Sequence, residues 1–330
     1  MNLPQSTLEQ LLKVQYNLNV MSINKSAVGA GSDTSFVHCQ EGDFVLKYPA
    51  VSEINHPERE PALCEFLNRH GIPACSFLKN QCGSYLSEDA DGRLFTVQKM
   101  IQGTNPNWNT ASDVILLESA ELLGKIHSVL KDYPALPVGI GEVFFRYMTP
   151  QNAAKSYKKS LQIAQSCNDR QIVEDLEWRL ELMERFPDML FDLKKLTLRN
   201  THGDYFISQF ICENGHLKAV IDWTTACVHP VIWEIMRSFV YSFPKCVDGE
   251  IDKEMLQRYV QAYRRYGTLN KYDEENLIRL FYYQIAVCDY YGQYYSSKAA
   301  NRGIYLEQAV FSTKLLKGIE KNGNFLPGLI

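Results

Sequence analysis

The segment "LRNTHGDYFISQF" combines side chain types that are suited to chemistry. Between apolar residues it places an imidazole, a glycine, a carboxylate and a carboxamide, namely His202, Gly203, Asp204 and Gln209. A polar loop in which Asp204 caps a turn is the alternative interpretation of this segment alone, because short motifs often match by chance. The residues that follow it decide between the two interpretations.

A second carboxylate, Asp222, follows the same segment after a predicted hairpin. Asn214-Gly215 separates two strand-like runs in "QFICENGHLKAVIDW", and Asn-Gly favours a two-residue hairpin turn. Because paired strands return to the same end, we expect Asp204 and Asp222 to emerge together, with Gln209 nearby. Two carboxylates and an amide oxygen are hard ligands suited to Mg²⁺, which also binds substrate phosphates. This spacing suits phosphoryl transfer, in which a carboxylate accepts the proton of the substrate hydroxyl.

The N-terminal part contains residues that suit a polyphosphate. The stretch "VGAGSDTSFV" holds Gly29, Gly31 and Ser32, and it precedes a strand-like run, "FVLKYP", that carries Lys47. A glycine-rich turn lets backbone N–H groups approach phosphates, and a lysine adds a compact positive charge. Each feature is common by itself. Their order along the chain, followed by a helix, a strand pair, a helical region and the segment above, is the informative part.

Composition excludes several classes of protein. The chain has 330 residues, 45% of them hydrophobic, and a net charge of −4, which indicates a globular protein of one bilobal unit or two domains. We expect no nucleic acid partner, since no basic stripe is present, and no membrane partner, since no apolar run approaches the roughly 20 residues of a membrane helix. The N-terminus lacks a signal-peptide pattern. Nine cysteines without a CxxC pair favour the reducing cytoplasm over a disulfide framework or zinc site.

The pattern of elements predicts an α+β fold. Up to about residue 100 we expect strands, including "DFVLKYPA" and a hairpin at Asp91-Gly92, and one helix that Gly71 and Pro73 close. Beyond about residue 104 the chain is mostly helical, with amphipathic segments such as "DVILLESAELLGKIHSVL", "NAAKSYKKSLQIAQSC" and "DRQIVEDLEWRLELMERF". A small β-rich lobe is therefore expected to precede a larger helical lobe.

This order of parts resembles the protein-kinase-like fold, and within it the aminoglycoside phosphotransferase family with its choline-kinase and homoserine-kinase-like relatives. "HGDYFISQ" and "VIDWTTACVHPVIWEI" resemble the catalytic and metal segments of the family. "REPALCEFLNRHGIPA" is similar to its lobe-linking helix, and "LLGKIHSVL" to the first helix of its large lobe. The similarity spans roughly residues 25 to 240. It implies a nucleotide-covering N-lobe, residues 1–101, and a helical C-lobe, residues 102–330, with the catalytic loop and metal site at 202–222.

The resemblance also implies the reaction. It would be Mg²⁺-dependent transfer of the γ-phosphate of ATP or GTP to a hydroxyl of a small molecule, such as an aminoglycoside, an amino alcohol, homoserine or a sugar. Asp204 would be the catalytic base, and Asp222 and Gln209 would bind the metal. The protein would be a monomer or homodimer. The alternative is a catalytically inactive kinase-like scaffold or binding protein.

The same resemblance assigns residues to nucleotide binding. Lys47 would hold the phosphates and pair with Glu60. The backbone of a hinge would receive the base. The full set of nucleotide-binding residues implied is Gly29, Gly31, Ser32, Lys47, Glu60, Gln98, Lys99, Met100 and Ile101.

Two positions depart from the family pattern. The family usually has Asn at the position of Gln209, whose extra methylene moves the amide oxygen by about a bond length. Glu60 precedes Pro61, and the residue before a proline avoids helical geometry, so Glu60 lies at the start of the helix. Its substitutes as partner of Lys47 are Glu53, Glu58 and Glu65.

Neighbouring residues are expected to support the catalytic loop. We expect His202 to hold it through a side-chain hydrogen bond, and Glu234 to brace it together with Arg237. In the aromatic run "FYYQIAVCDYYGQYY" most rings are expected to be core, and Asp289 is the one acid suited to contact a cationic substrate.

Overall fold

The computed structural model describes residues 5–25, 32–49, 56–186 and 189–321. Gly29, Gly31 and Glu53 lie outside the described residues. In chain order the elements are α1 (Gln5–Tyr16), β1 (Val20–Lys25), β2 (Asp33–Cys39), β3 (Gly42–Tyr48), α2 (Arg59–Arg69), β4 (Ser87–Glu88), β5 (Leu94–Lys99), α3 (Asp113–Leu130), α4 (Glu142–Tyr147), α5 (Pro150–Ser166), α6 (Arg170–Glu184), β6 (Leu198–Thr201), β7 (Phe210–Glu213), β8 (His216–Val220), β9 (Cys227–Pro230), α7 (Val231–Ser242), α8 (Lys253–Tyr263), α9 (Lys271–Val287), α10 (Tyr290–Ser296) and α11 (Ala299–Lys321).

The chain divides into two compact units. The first unit comprises Met1–Asn105 with Gln209–Thr225, and the second comprises Pro106–Ser208 with Ala226–Ile330. The hairpin of β7 and β8 therefore packs with the first unit, although it lies late in the sequence. The expected lobes, residues 1–101 and 102–330, stay a prediction about functional domains.

An antiparallel sheet forms the centre of the first unit. Its five strands have the order β1-β2-β3-β5-β4, and β3 is bonded to both β2 and β5. Helix α1, which the sequence did not predict, packs Leu8 and Leu12 into one core with residues of the sheet, among them Phe44, Leu46 and Phe95. Because side chains alternate along a strand, Lys47 points to the face opposite Leu46.

Both predicted hairpin turns are confirmed. Asn214 and Gly215 join β7 to β8 with φ angles of 53° and 82°, and positive φ at both central residues is what a type I′ turn requires. Asp91-Gly92 lies between β4 and β5, and Gly92 has a φ of 78°. These turns are local, so the sequence alone was sufficient to place them.

The second unit is mainly helical. Helix α3 begins after Ser112, whose side chain accepts a hydrogen bond from the Ile115 N–H, and it covers the predicted segment completely. Helix α7 is buried at every residue except Arg237, so other elements surround it. Among the helices in the described part of the chain, none combines the length and apolar character that crossing a bilayer requires.

A buried arginine joins four helices of this unit. Arg179 of α6 is 1% exposed. Its guanidinium donates to the hydroxyls of Tyr157, Ser312 and Thr313 and to the carbonyl of Ile285. These acceptors belong to α5, α11 and α9. Because a buried charge is costly unless its donors are satisfied, these four bonds fix the helices against one another.

Replacing this arginine should destabilise the protein strongly. We expect Arg179→Ala to lower the free energy of unfolding by about 3 kcal/mol, since it leaves several buried hydroxyls without a donor. The control is Arg185→Ala, which removes an exposed pair with Glu320 and should cost less than about 1 kcal/mol. Urea unfolding followed by circular dichroism measures both values. Equal midpoints for the two variants would contradict this account.

Candidate active site

Lys47 lies between two carboxylates in the first unit. On β3 it stands opposite Thr34 on one side and Thr96 on the other, and it is 7% exposed. Its Nζ lies 3.3 Å from Glu60 Oε2 and 2.9 Å from Asp222 Oδ1. The structure thus brings together three residues from β3, α2 and the end of the β7–β8 hairpin.

Glu60 is placed by the first turn of α2. The helix begins at Arg59, so Pro61 lies where helical N–H groups lack an intrahelical partner and a proline is tolerated. Glu60 Oε1 accepts the backbone N–H of Trp223 at 3.0 Å. Burial raises the pKa of Glu60, and the ammonium of Lys47 opposes that shift. Of the substitutes, Glu65 instead contacts Arg69 and Tyr85.

Asp222 has a left-handed backbone with a φ of 61°, which is uncommon for a residue other than glycine. Oδ1 of Asp222 accepts from Lys47 Nζ and, at 2.8 Å, from the Thr224 hydroxyl. Its backbone N–H donates to the thiol of Cys75. These contacts fix both the backbone and the carboxylate of Asp222.

Gln209 lies next to this site. Its carbonyl oxygen accepts the N–H of Ile221 at 2.9 Å, so its backbone is adjacent to that of Asp222. Within the described residues, no group of three or more His, Cys, Asp and Glu side chains could hold a metal ion. The oxygen donors of Asp222 and Gln209 still fit Mg²⁺, since this ion is commonly bound by one or two protein ligands, water and substrate phosphates.

The expected hinge, Gln98 to Ile101, ends the central sheet. The N–H of Lys99 donates to the Ser76 carbonyl at 2.8 Å, and that of Met100 donates to the Asp43 carbonyl at 2.9 Å. These two donors are therefore used within the unit. A base bound at this strand end would need other backbone groups of the hinge.

In the second unit a buried glutamate holds the His-Gly-Asp loop. Glu234 of α7 has no exposed surface. It accepts the backbone N–H groups of His202 at 3.2 Å and Gly203 at 2.6 Å, and it contacts His127 Nε2 at 2.8 Å. Burial acts to raise the pKa of Glu234, but the hydrogen bond with His127 and the nearby histidines lower it overall. The expectation that Glu234 braces the loop is confirmed.

The same helix also holds Asp204. Arg237 is one turn beyond Glu234, and its Nε lies 3.1 Å from Asp204 Oδ1, with a second contact through its Nη2. The guanidinium lies over the rings of Phe206 and Tyr241 at 5.3 and 4.7 Å from their centroids. Burial acts to lower the pKa of Arg237, but the neighbouring Asp204 raises it overall. Arg237 therefore stays charged and fixes the orientation of the Asp204 carboxylate.

His202 has the structural role that we expected. It has no exposed surface, and its Nδ1 accepts the backbone N–H of Asp204 at 3.2 Å. Asp289 caps a helix, and its expected contact with a cationic substrate stays a prediction. Its side chain accepts from the hydroxyls of Ser156 and Ser160 and from the N–H of Gly292, as the N-cap of α10.

Sequence reasoning missed several supporting residues. His127 was part of a quoted motif without a role of its own, and Thr224 and Cys75 carried no signal. Arg237 was expected to support the loop, without a particular partner. The structure identifies that partner as Asp204. One signal was present in the sequence. Arg237 follows Glu234 by three residues, so the two side chains lie on the same face of a helix.

Glu234→Gln should loosen the loop. The amide nitrogen of Gln cannot accept a hydrogen bond, so one buried N–H of the loop loses its acceptor and stability falls by about 2 kcal/mol. We expect the amides of His202 and Gly203 to exchange hydrogen faster than in the wild type, measured by hydrogen–deuterium exchange. In the control, Glu213→Gln, which removes a surface pair with Lys218, their exchange should not change. Unchanged protection in Glu234→Gln would refute the bracing role.

His229 should make stability depend on pH. Burial lowers its pKa to about 4, and its Nδ1 accepts the Ile140 N–H at 2.9 Å. Between about pH 6.5 and 4 the unfolded chain binds a proton at this residue that the folded chain does not, so stability falls as the pH is lowered.

The test compares urea midpoints of the wild type and His229→Asn, in which an amide oxygen can accept the same N–H. Between about pH 7 and 4, the variant should lose about 3 kcal/mol less stability than the wild type. Identical pH dependence would show that His229 titrates normally.

The comparisons identify the class of protein. The sequence profile of the phosphotransferase enzyme family, APH, matches residues 23–269. This match covers more than half of the chain, and the chain therefore belongs to that family. The resemblance inferred from the sequence is confirmed, together with the α+β protein-kinase-like fold and the assignment as a phosphotransferase enzyme. Comparison with curated protein sequences found no match.

Solved structures share the fold at low sequence identity. A structure of amicoumacin kinase hAmiN with AMP-PNP, Ca²⁺ and Ami is 12% identical, with a TM-score of 0.64, and the match covers 94% of this chain and 93% of that one. A spectinomycin phosphotransferase with ADP and spectinomycin is 13% identical, with a TM-score of 0.64 and coverage of 97% and 100%. Choline kinase from Cryptosporidium parvum is 10% identical, with a TM-score of 0.61 and coverage of 93% and 91%.

Proposed function

We propose that this protein transfers the γ-phosphate of ATP or GTP to a hydroxyl group of a small molecule in a Mg²⁺-dependent reaction. The observation that supports this most strongly is the buried Lys47 held between Glu60 and Asp222 in a member of a phosphotransferase family. Solved relatives by fold contain AMP-PNP, ADP or GDP, so a nucleotide is a suitable donor. The cytoplasm stays the predicted location.

Each residue of the proposed reaction has a defined task. Asp204 accepts the proton of the acceptor hydroxyl as its oxygen attacks phosphorus, and Arg237 keeps the carboxylate oriented. Lys47 binds phosphate oxygens, and Glu60 positions its ammonium. Asp222, with Gln209, would hold the divalent ion, which when bound neutralises charge on the phosphates. Ser32 and the hinge, Gln98 to Ile101, complete the proposed nucleotide site.

For the acceptor we propose only a broad chemical class. The structural neighbours named above act on amicoumacin, spectinomycin and choline, as their names indicate. These compounds share hydroxyl groups on small polar molecules, and we propose an acceptor of that kind. A screen that couples ADP release to a colour change, run over amino alcohols, homoserine, sugars and aminoglycosides, identifies it. The inactive-scaffold alternative does not explain why the chain keeps Lys47, Glu60, Asp204 and Asp222.

Asp204→Asn tests the assignment of the base. The amide keeps the shape and the hydrogen bonding of the side chain but cannot take up the proton, so turnover should fall about a thousandfold. Binding of Mg·ATP, measured by the rise in melting temperature, should stay within about twofold of the wild type. Asp222→Asn should instead weaken Mg·ATP binding. Full turnover in Asp204→Asn would refute the role of Asp204, and no gain in stability from any Mg·nucleotide would refute the proposed function.

A further inference from the structure

A pocket of the first unit contains more positive charge than the expected phosphate-binding lysine. It is lined by residues that include Lys47, His56, Arg59, Thr96 and Thr224. The Arg59 N–H donates to the His56 carbonyl at 3.1 Å, and this tight turn leads directly into α2. Both side chains therefore enter the pocket from the start of the helix that also carries Glu60.

The net charge around Lys47 indicates that binding of a polyphosphate needs a further positive group. Its ammonium faces the carboxylates of Glu60 and Asp222, so with both ionised these three groups together are negative. Such a set does not attract a polyphosphate. A divalent ion changes the balance, but a nucleoside triphosphate carries more negative charge than one ion and one lysine offset. A polyphosphate held here needs another positive group on the wall of the pocket.

Arg59 is suited to this task. Its side chain is half-buried. Among the described residues, no carboxylate forms an ion pair with it. Arg69, at the other end of the same helix, pairs with Glu65. A guanidinium binds phosphate oxygens in a bidentate manner, and the positive end of the helix dipole at Arg59 favours an anion there as well.

We propose that Arg59, next to His56, is a phosphate-binding residue of this pocket and supplies the positive charge that Lys47 alone does not. This inference depends on the proposed function, because the bound anion is the polyphosphate of the donor nucleotide. Arg59 contacts phosphate only, so its contribution increases with the number of phosphates and not with the base.

The experiment compares Arg59→Gln with the matched control Arg69→Gln, in which the same helix loses the same charge. Binding of ATP, ADP and adenosine is measured in MgCl₂ by isothermal titration, with the guanine series replacing them if GTP binds the wild type more tightly. We expect Arg59→Gln to weaken ATP binding about tenfold, as for loss of a charge-assisted hydrogen bond. It should weaken ADP binding less and leave adenosine binding unchanged. Arg69→Gln should bind all three as the wild type does.

A second variant tests whether weaker ATP binding results from misfolding. Arg59→Lys keeps the charge but not the bidentate geometry, so its affinity for ATP should lie between those of the wild type and Arg59→Gln. If Arg59→Gln and Arg59→Lys both bind ATP as tightly as Arg69→Gln does, the inference is wrong while the proposed function stands. An equal loss for adenosine and ATP also overturns it. A wild type that binds no nucleotide overturns both.

Discussion

The second unit depends on the hydrogen bonds that a fully buried carboxylate, that of Glu234, requires. A carboxylate without exposed surface is costly unless each oxygen is hydrogen-bonded, and here the donors are His127 and the backbone of His202 and Gly203. One side chain of α7 thereby ties α3 and the loop before Asp204 to the most buried helix of the unit. Arg237, one turn further, extends this arrangement to Asp204, so helix α7 also fixes the position of the Asp204 carboxylate.

In the first unit the buried charge that needs partners is positive. Lys47 is buried on a central strand, and its ammonium is stabilised by two carboxylates from elements distant in sequence. These ion pairs connect β3 to the start of α2 and to the end of the β7–β8 hairpin, which belongs to the same unit as the first 105 residues. The backbone of Trp223 also donates to Glu60, so the lysine, the helix and the hairpin stabilise one another. Removing Lys47 would leave the buried carboxylate of Glu60 without its counter-charge.

The predictability of each feature follows the range of the interactions that form it. The turns at Asp91-Gly92 and Asn214-Gly215 and the helix from Asp113 to Leu130 depend on neighbouring residues, and sequence patterns placed them. Helix α1 was missed although Leu8, Leu11 and Leu12 fall at the spacing of an amphipathic helix. Of the site, the chemical types of Lys47, Asp204 and Asp222 were evident from motifs. The contributions of His127, Thr224 and Cys75 were not, because they act through contacts with residues distant in sequence.

The sequence by itself determined the chemistry and the local geometry of this protein. The residue types, their order and the turn signals were sufficient to indicate a phosphotransferase, because these depend on side-chain chemistry and on short-range backbone preferences. Only the tertiary structure decided which charges are paired: that Lys47 is shared by Glu60 and Asp222, that Arg237 holds Asp204, and that Asp289 caps a helix. The physical reason is that electrostatic and hydrogen-bond energies depend on distance and burial in space, and separation along the chain does not encode either.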